Sequence, residues 1–274
     1  MKRAVVFTDI SGLGNCSGSA NIAVLSALGV EPLLVPTAIL SAQTGFQQSA
    51  VFPFTENLGA YIDSLEAIKP HADALYIGFM AGRGQCAHAK RLVRAFPEAA
   101  LVVDPILGDG GRAFPFYGEM CEDVAALVRE ADVITPNLTE LCLLTGASFS
   151  ALEGLPETVL FDRIESLCRT LMREKPKTVV VTGVNLGGVI ATLIADAHGF
   201  SAVKTKRVGG SLSGTGDIMT SVICAAAAKG ESISDAAARA AHFITRVLEG
   251  SPDISDRNYG IPFQPYLSEL SATE

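Results

Sequence analysis

Apolar residues fall in short runs that alternate with stretches of helical spacing. The runs at 4–8, 32–36, 74–78, 100–104, 133–135 and 178–182 are too short for helices and predict strands buried on both faces. Between them, residues 20–28 place Ile22, Leu25 and Leu28 on one side of a helix that Gly29 ends. Further helices are predicted over 58–68, 85–96, 117–129, 137–144, 159–173, 214–228 and 233–249, with stops at Pro70, Gly146 and Pro176. Residues 188–195 and 200–205 flank Asp196-Ala197-His198-Gly199 and predict a hairpin. The tail from about residue 251, rich in Pro and Asp, is expected to be irregular.

Repeated strand-loop-helix units predict an α/β fold of three layers, α-β-α, with a mostly parallel central sheet and helices on both faces. Without an internal repeat or a linker, residues 1–274 are expected to form one domain. Ligands in such folds bind beyond the carboxyl ends of the strands. The loops at 9–19, 41–46, 104–112, 135–140, 182–183 and 209–217 fall there.

Composition narrows the partners. The chain of 274 residues is 49% hydrophobic and 18% charged, which describes a packed protein. A net charge of −8 without a basic stripe argues against nucleic acid. The longest purely apolar run, 222–228, is far too short to span a membrane. The N-terminus lacks the pattern of an export signal, and the six cysteines are scattered, so a cytoplasmic location with reduced thiols is expected. The four histidines show no ligand spacing.

Three stretches carry candidate chemistry. Gly209-Gly210-Ser211-Leu212-Ser213-Gly214-Thr215-Gly216-Asp217 opens an apolar helix. Free N–H groups at a helix start make an anion site, and glycines let a phosphate approach the backbone. No Gly-Lys-Ser/Thr closes the loop, so it is not a Walker A motif. Asp217 beside such a site either caps the helix or acts as a base toward an attacking hydroxyl. In the second stretch, Asp104 ends a buried strand, where a charge is costly unless paired or metal-bound, and Asp109 sits in a Gly-rich turn. In the third, Asn137 and Glu140 lie one helical turn apart, which suits a capping box or two groups facing one spot. Strand-end carboxylates beside an anion loop suggest Mg²⁺ with phosphates. A rival motif, Gly12-Leu13-Gly14-Asn15-Cys16-Ser17-Gly18, is a variant of the dinucleotide fingerprint, but Glu31 precedes the second strand where an acidic residue should end it.

Taken in order, Asp104-Pro105-Ile106-Leu107-Gly108-Asp109, Thr135-Pro136-Asn137-Leu138-Thr139-Glu140 and Gly214-Thr215-Gly216-Asp217 resemble the ribokinase-like superfamily. Leu40-Ser41-Ala42-Gln43-Thr44-Gly45-Phe46 resembles a segment of its pyridoxal, pyridoxamine and pyridoxine kinases. The resemblance implies ATP-dependent phosphorylation of the 5′-hydroxymethyl group of a B6 vitamer. It implies Asp217 as base, with the N–H groups of Gly214, Thr215 and Gly216 holding the phosphoryl group. Thr182, Gly183, Asn137, Asp109 and Gly214 would meet ATP, Asp104 and Glu140 would support Mg²⁺, and Asp9, Thr44, Phe79 and Gln43 would meet the vitamer. A monovalent cation and a homodimer are further family expectations. The family often has Ser, His and Tyr where Asp9, Gln43 and Phe79 stand. A hydroxymethylpyrimidine or other small-alcohol kinase of the superfamily is the alternative, although the pyrimidine branch usually has Cys where Asp217 stands. A non-catalytic B6-binding protein is the third reading.

Overall fold

The computed structural model describes residues 1–115, 118–251 and 256–271. In chain order its elements are β1 (Lys2–Ser11), α1 (Ser17–Ala27), β2 (Val30–Leu40), β3 (Val51–Pro53), α2 (Thr55–Ile68), β4 (Ala74–Ile77) and α3 (Gly84–Ala95). They continue as β5 (Ala100–Val103), β6 (Gly108–Asp109), β7 (Arg112–Ala113), α4 (Cys121–Glu130), β8 (Val133–Ile134), α5 (Leu138–Thr145) and α6 (Glu157–Leu171). The last are β9 (Thr178–Asn185), β10 (Val189–Asp196), β11 (Gly199–Lys206), α7 (Thr215–Lys229), α8 (Ile233–Glu249) and α9 (Leu267–Ser271).

Nine strands form one sheet in the order β11-β10-β9-β8-β5-β4-β1-β2-β3. The six from β9 to β2 are parallel, and antiparallel strands close both ends. Strand parity sends alternate residues to opposite faces. Val5, Phe7, Leu75, Ile77, Leu101 and Val103 pack under α2–α6, and Val6, Tyr76, Val102 and Val180 pack under α1, α7 and α8. Both faces are buried, which explains the continuous apolar runs. The three-layer α/β fold with a mostly parallel sheet is as expected from the sequence.

Four expectations need correction. β2 runs on to Leu40 instead of stopping at Pro36. Only β1 flanks it until β3 joins at Ala38–Leu40, and an edge position tolerates proline. β3 itself is three exposed residues with no periodicity to betray it. The helix expected over 117–129 begins as a 3₁₀ turn, Gly118–Met120, and becomes α-helical at Cys121; Tyr117 lies outside the described residues. The tail is also more ordered than its composition suggests. Beyond 252–255, which lie outside the described residues, it forms 3₁₀ turns at Arg257–Tyr259 and Gln264–Tyr266 and then α9.

The parallel core reverses direction between β1 and β4, since β2 lies to one side of β1 and β4 to the other. The crevice above that reversal is where such sheets bind ligands.

Candidate active site

Four carboxylates gather at the carboxyl ends of the strands. Asp9 lies near the end of β1, Asp104 follows β5, Glu140 is in the first turn of α5 and Asp217 in the first turn of α7. Among the described residues, no Lys or Arg forms an ion pair with any of them. Burial without a counter-charge therefore raises their pKa values. Asp217 is pushed up to about 6, first by burial, with the Asp9 charge adding to it and the Ser17 N–H opposing it. Asp104 is raised well above the usual range by burial and then by the charges of Glu140 and Asp217. Glu140 rises to about 7 through burial, against the backbone N–H groups that it accepts from.

Glu140 satisfies both readings of its motif. Its Oε2 accepts from the Asn137 N–H at 2.8 Å, and Asn137 Oδ1 accepts from the Glu140 N–H at 3.0 Å, completing a capping box. Its Oε1 accepts from the Leu107 N–H at 3.0 Å, which ties α5 to the loop after Asp104. Within that loop Ile106 has φ +42°, a costly conformation for a β-branched residue. Asn137 Nδ2 donates to the Gly108 carbonyl at 2.8 Å and pins the small β6–β7 hairpin that carries Asp109. Its backbone also bridges Thr182 of β9.

The anion loop is held from outside. Gly214 caps α7 with φ +88°, and a Cβ there would overlap the Asn15 carbonyl, so glycine is required on both counts. The Ser213 N–H donates to the Arg257 carbonyl at 3.3 Å, and the Ile261 N–H donates to the Ser213 carbonyl at 3.1 Å. The Asn15 N–H donates to the Tyr259 carbonyl at 3.0 Å. The C-terminal segment thus straps the anion loop to the loop after β1.

A cavity of about 840 Å³ adjoins this loop. Asp109, Asn137, Thr182, Gly183, Thr215 and Gly216 line its polar side. Its apolar side is formed by Ile190, Leu212, Met219, Ala241, Ile244 and Leu248, positions that the sequence reading left unnamed.

The residues expected at the acceptor end are less uniform. The Asp9 side chain accepts from the Ser11 hydroxyl at 2.9 Å through Oδ2, while its buried Oδ1 has no partner. Burial raises its pKa as well. Thr44 is exposed in the loop after β2, and half-buried Phe79 follows β4. Gln43 is turned inward. Its Nε2 donates to the Asn258 carbonyl and Oδ1 at 3.2 and 3.0 Å, and its Oε1 accepts from the Gly45 N–H at 2.8 Å. The amide braces the loop, and reaching a ligand would require giving up one of these bonds. Sequence reasoning missed Asn258, Tyr76 and Asn21. Two of them had a signal: Tyr76 is a polar-tipped residue in the apolar strand Ala74–Ile77, and Asn21 interrupts the buried side of α1.

The donor set suits a divalent cation. Burial and neighbouring carboxylates raise the pKa of both Asp104 and Glu140, neither has a cationic partner, and a metal ion would relieve that cost. The described residues contain no group of three or more side chains that would enclose a metal alone. A cation there would be shared with phosphate oxygens and water, as Mg²⁺ commonly is.

A family profile described as phosphomethylpyrimidine kinase matches residues 14–261. The chain belongs to that family. It is a phosphotransferase with an alcohol group as acceptor and has the ribokinase-like fold of the pyridoxal kinases. Among its relatives, a pyridoxal kinase from Granulibacter bethesdensis is 27% identical over 76% of each chain. A hydroxymethylpyrimidine/phosphomethylpyrimidine kinase from Rhizobium meliloti is 28% identical over 87% of each. A Bacteroides thetaiotaomicron protein, described as a phosphomethylpyrimidine kinase and crystallised with pyridoxal, superposes with a TM-score of 0.91. It is 26% identical, covering 100% of this chain and 96% of that one. No helix among the described residues of this family member is long and apolar enough to cross a membrane.

Proposed function

We propose that this kinase transfers the γ-phosphoryl group of ATP to the 5′-hydroxymethyl group of a B6 vitamer. The observation that carries the proposal is Asp217, a carboxylate with pKa raised to about 6, set in the first turn of α7 beside the N–H groups of Gly214, Thr215 and Gly216. A carboxylate with that pKa is ionised at neutral pH yet basic enough to accept a proton from an alcohol as it attacks.

In this reading, the acceptor oxygen gives its proton to Asp217 and forms a bond to the γ-phosphorus, and the bond from that phosphorus to the bridging oxygen of ADP breaks. The N–H groups of Gly214, Thr215 and Gly216 receive the charge that spreads over the phosphoryl oxygens. Thr182, Gly183, Asn137 and Asp109 orient the nucleotide from the polar side of the cavity, and the base lies against Met219, Ile244 and Leu248. Asp104 and Glu140 would hold Mg²⁺, which when bound neutralises phosphate charge. Asp9, with an unpartnered buried Oδ1, accepts from a ring hydroxyl or ring N–H, while Phe79 covers the ring and Thr44 borders it. Gln43 supports that loop from behind.

The pyridoxal kinase relatives and the pyridoxal-bound neighbour favour a B6 substrate. The family profile and the Rhizobium relative favour hydroxymethylpyrimidine as the second reading. The test is ATP-dependent phosphorylation of pyridoxal, pyridoxamine, pyridoxine and hydroxymethylpyrimidine, with and without Mg²⁺. Fast Mg²⁺-dependent turnover of one B6 vitamer supports the proposal. Turnover of the pyrimidine alone replaces it with the second reading, and tight B6 binding without turnover indicates a binding protein.

A further inference from the structure

The cavity beside the anion loop carries a cationic side chain for which the mechanism above has no role. Its charged lining residues are Asp109, Glu153, Glu157, Lys206 and Arg207. Lys206 is already taken up, with Nζ 3.6 Å from Glu249 Oε1. Arg207 has no carboxylate partner among the described residues.

The main chain fixes where Arg207 stands. It directly follows β11, and its N–H donates at 3.0 Å to the carbonyl of Gly188, in the turn between β9 and β10. Its backbone is therefore pinned beside the end of β9. From there Gly210, Ser211 and Leu212 continue the cavity wall to Thr215 and Gly216 at the start of α7. One wall thus carries the guanidinium at one end and the anion loop at the other.

The side chain is held far more loosely than the backbone. It is exposed, and its Nη1 lies 3.5 Å from Asn185 Oδ1. That is longer than a well-formed N–H···O bond, and the same oxygen already accepts from the Gly187 N–H at 3.0 Å. Asn185 lines the cavity too, so the guanidinium rests at its border, free to exchange a weak contact for a better one.

Charge decides which ligand group would offer that contact. Asp9, Asp104, Glu140 and Asp217 lack basic partners, so the strand ends are rich in carboxylates before a substrate enters. A nucleotide adds further negative charge, of which Mg²⁺ offsets a part. A guanidinium presents a planar fork of donors that matches two phosphate oxygens, and charge-assisted bonds of this kind are stronger than one to a neutral amide oxygen.

We propose that Arg207 binds the phosphate chain of the nucleotide from the border of the cavity, as a cationic counterpart to the N–H groups of the anion loop. The inference rests on ATP being the phosphoryl donor.

Arg207→Gln keeps a polar side chain and removes the charge. Titration calorimetry with ADP and with adenosine, each in the presence of Mg²⁺, tests the assignment. Affinity for ADP should fall roughly tenfold, as for a lost hydrogen bond to a charged group, while affinity for adenosine stays unchanged. KM for ATP should rise by a similar factor, with KM for the alcohol unaltered. The melting temperature should match wild type, because the side chain is exposed and unpaired. Wild-type affinity for ADP in the variant overturns the proposal. Equal losses for ADP and adenosine overturn it too, since they mean that Arg207 supports the cavity wall and not a phosphate. If the wild-type protein itself binds no ADP, ATP is not the donor, and the role of Arg207 falls together with that reading.

Discussion

Asp217 shows how one position can be unfavourable for the fold and necessary for the chemistry. Its folded-state pKa of about 6, against 3.8 for an ordinary Asp, means that the fold disfavours its charged form. Asp217→Asn should therefore abolish most turnover, on the order of 10²–10⁴-fold. At about pH 7.5 the same variant should melt no lower than wild type, since the amide removes that electrostatic cost. Paired kinetic and thermal-melt measurements check this; a variant that is both fully active and less stable would mean that Asp217 is only a helix cap. Gly214→Ala should behave differently. Its φ of +88° and the close Asn15 carbonyl make any side chain strained, costing about 1–3 kcal/mol in urea denaturation as well as activity. Individual residues of this kind were legible because their chemistry is local: glycines and an acid at a helix start, and carboxylates at strand ends. Asn258 was not legible, since its bond to Gln43 joins residues far apart in the chain and no local pattern marks it.

Elements were readable wherever burial imposes a period. The alternation of Leu75 and Ile77 with Ala74 and Tyr76 marks a strand covered on both faces. β2 beyond Pro36, β3 and the C-terminal turns escaped notice because they sit at an edge or over the site and are held by main-chain bonds, which leave no hydrophobic pattern. The C-terminal strap is the consequential omission. Asn258 joins Gln43 in the loop after β2, and Tyr259 packs its ring edge-on against Phe46 of the same loop at 5.3 Å. The strap meets the anion loop by way of Ser213. Asn258→Ala removes one of the two acceptors of the Gln43 amide and leaves the Asn258 carbonyl, so the loop carrying Thr44 should be held less firmly. KM for the alcohol should rise severalfold, by about the worth of one hydrogen bond, while KM for ATP stays constant. Initial-rate kinetics with each substrate varied in turn check this split. Equal changes in both constants would show that the strap supports the whole site and not its acceptor end.

At the scale of the molecule, two large apolar clusters on either side of a nine-stranded sheet hold four unpaired carboxylates at one edge of the strands. The three-layer architecture could be read from the strand-helix alternation. The convergence of Asp9, Asp104, Glu140 and Asp217 could not, because it depends on strand order, which sequence pattern leaves open. That convergence has a consequence for stability. Glu140 moves from 4.5 to about 7 on folding and Asp217 from 3.8 to about 6, so between those values the folded state retains protons that the unfolded chain has released. When the unfolded state binds fewer protons, stability falls as pH rises. Asp73, lowered to about 2 by Lys2 and the Arg3 N–H, works in the opposite sense, but its contribution is complete above about pH 5 and does not enter this window. The ligand-free protein should therefore melt at a lower temperature at about pH 7.5 than at about pH 5. Mg²⁺ together with a nucleotide should restore the difference at the higher pH and have little effect at the lower one, where protons already neutralise the carboxylates. Thermal melts across that range, with and without Mg²⁺ and ADP, check both parts. A melting temperature that rises steadily toward pH 7.5 in the ligand-free protein would mean that the four groups are not mutually repelling, and the case for a metal at Asp104 and Glu140 would fall with it.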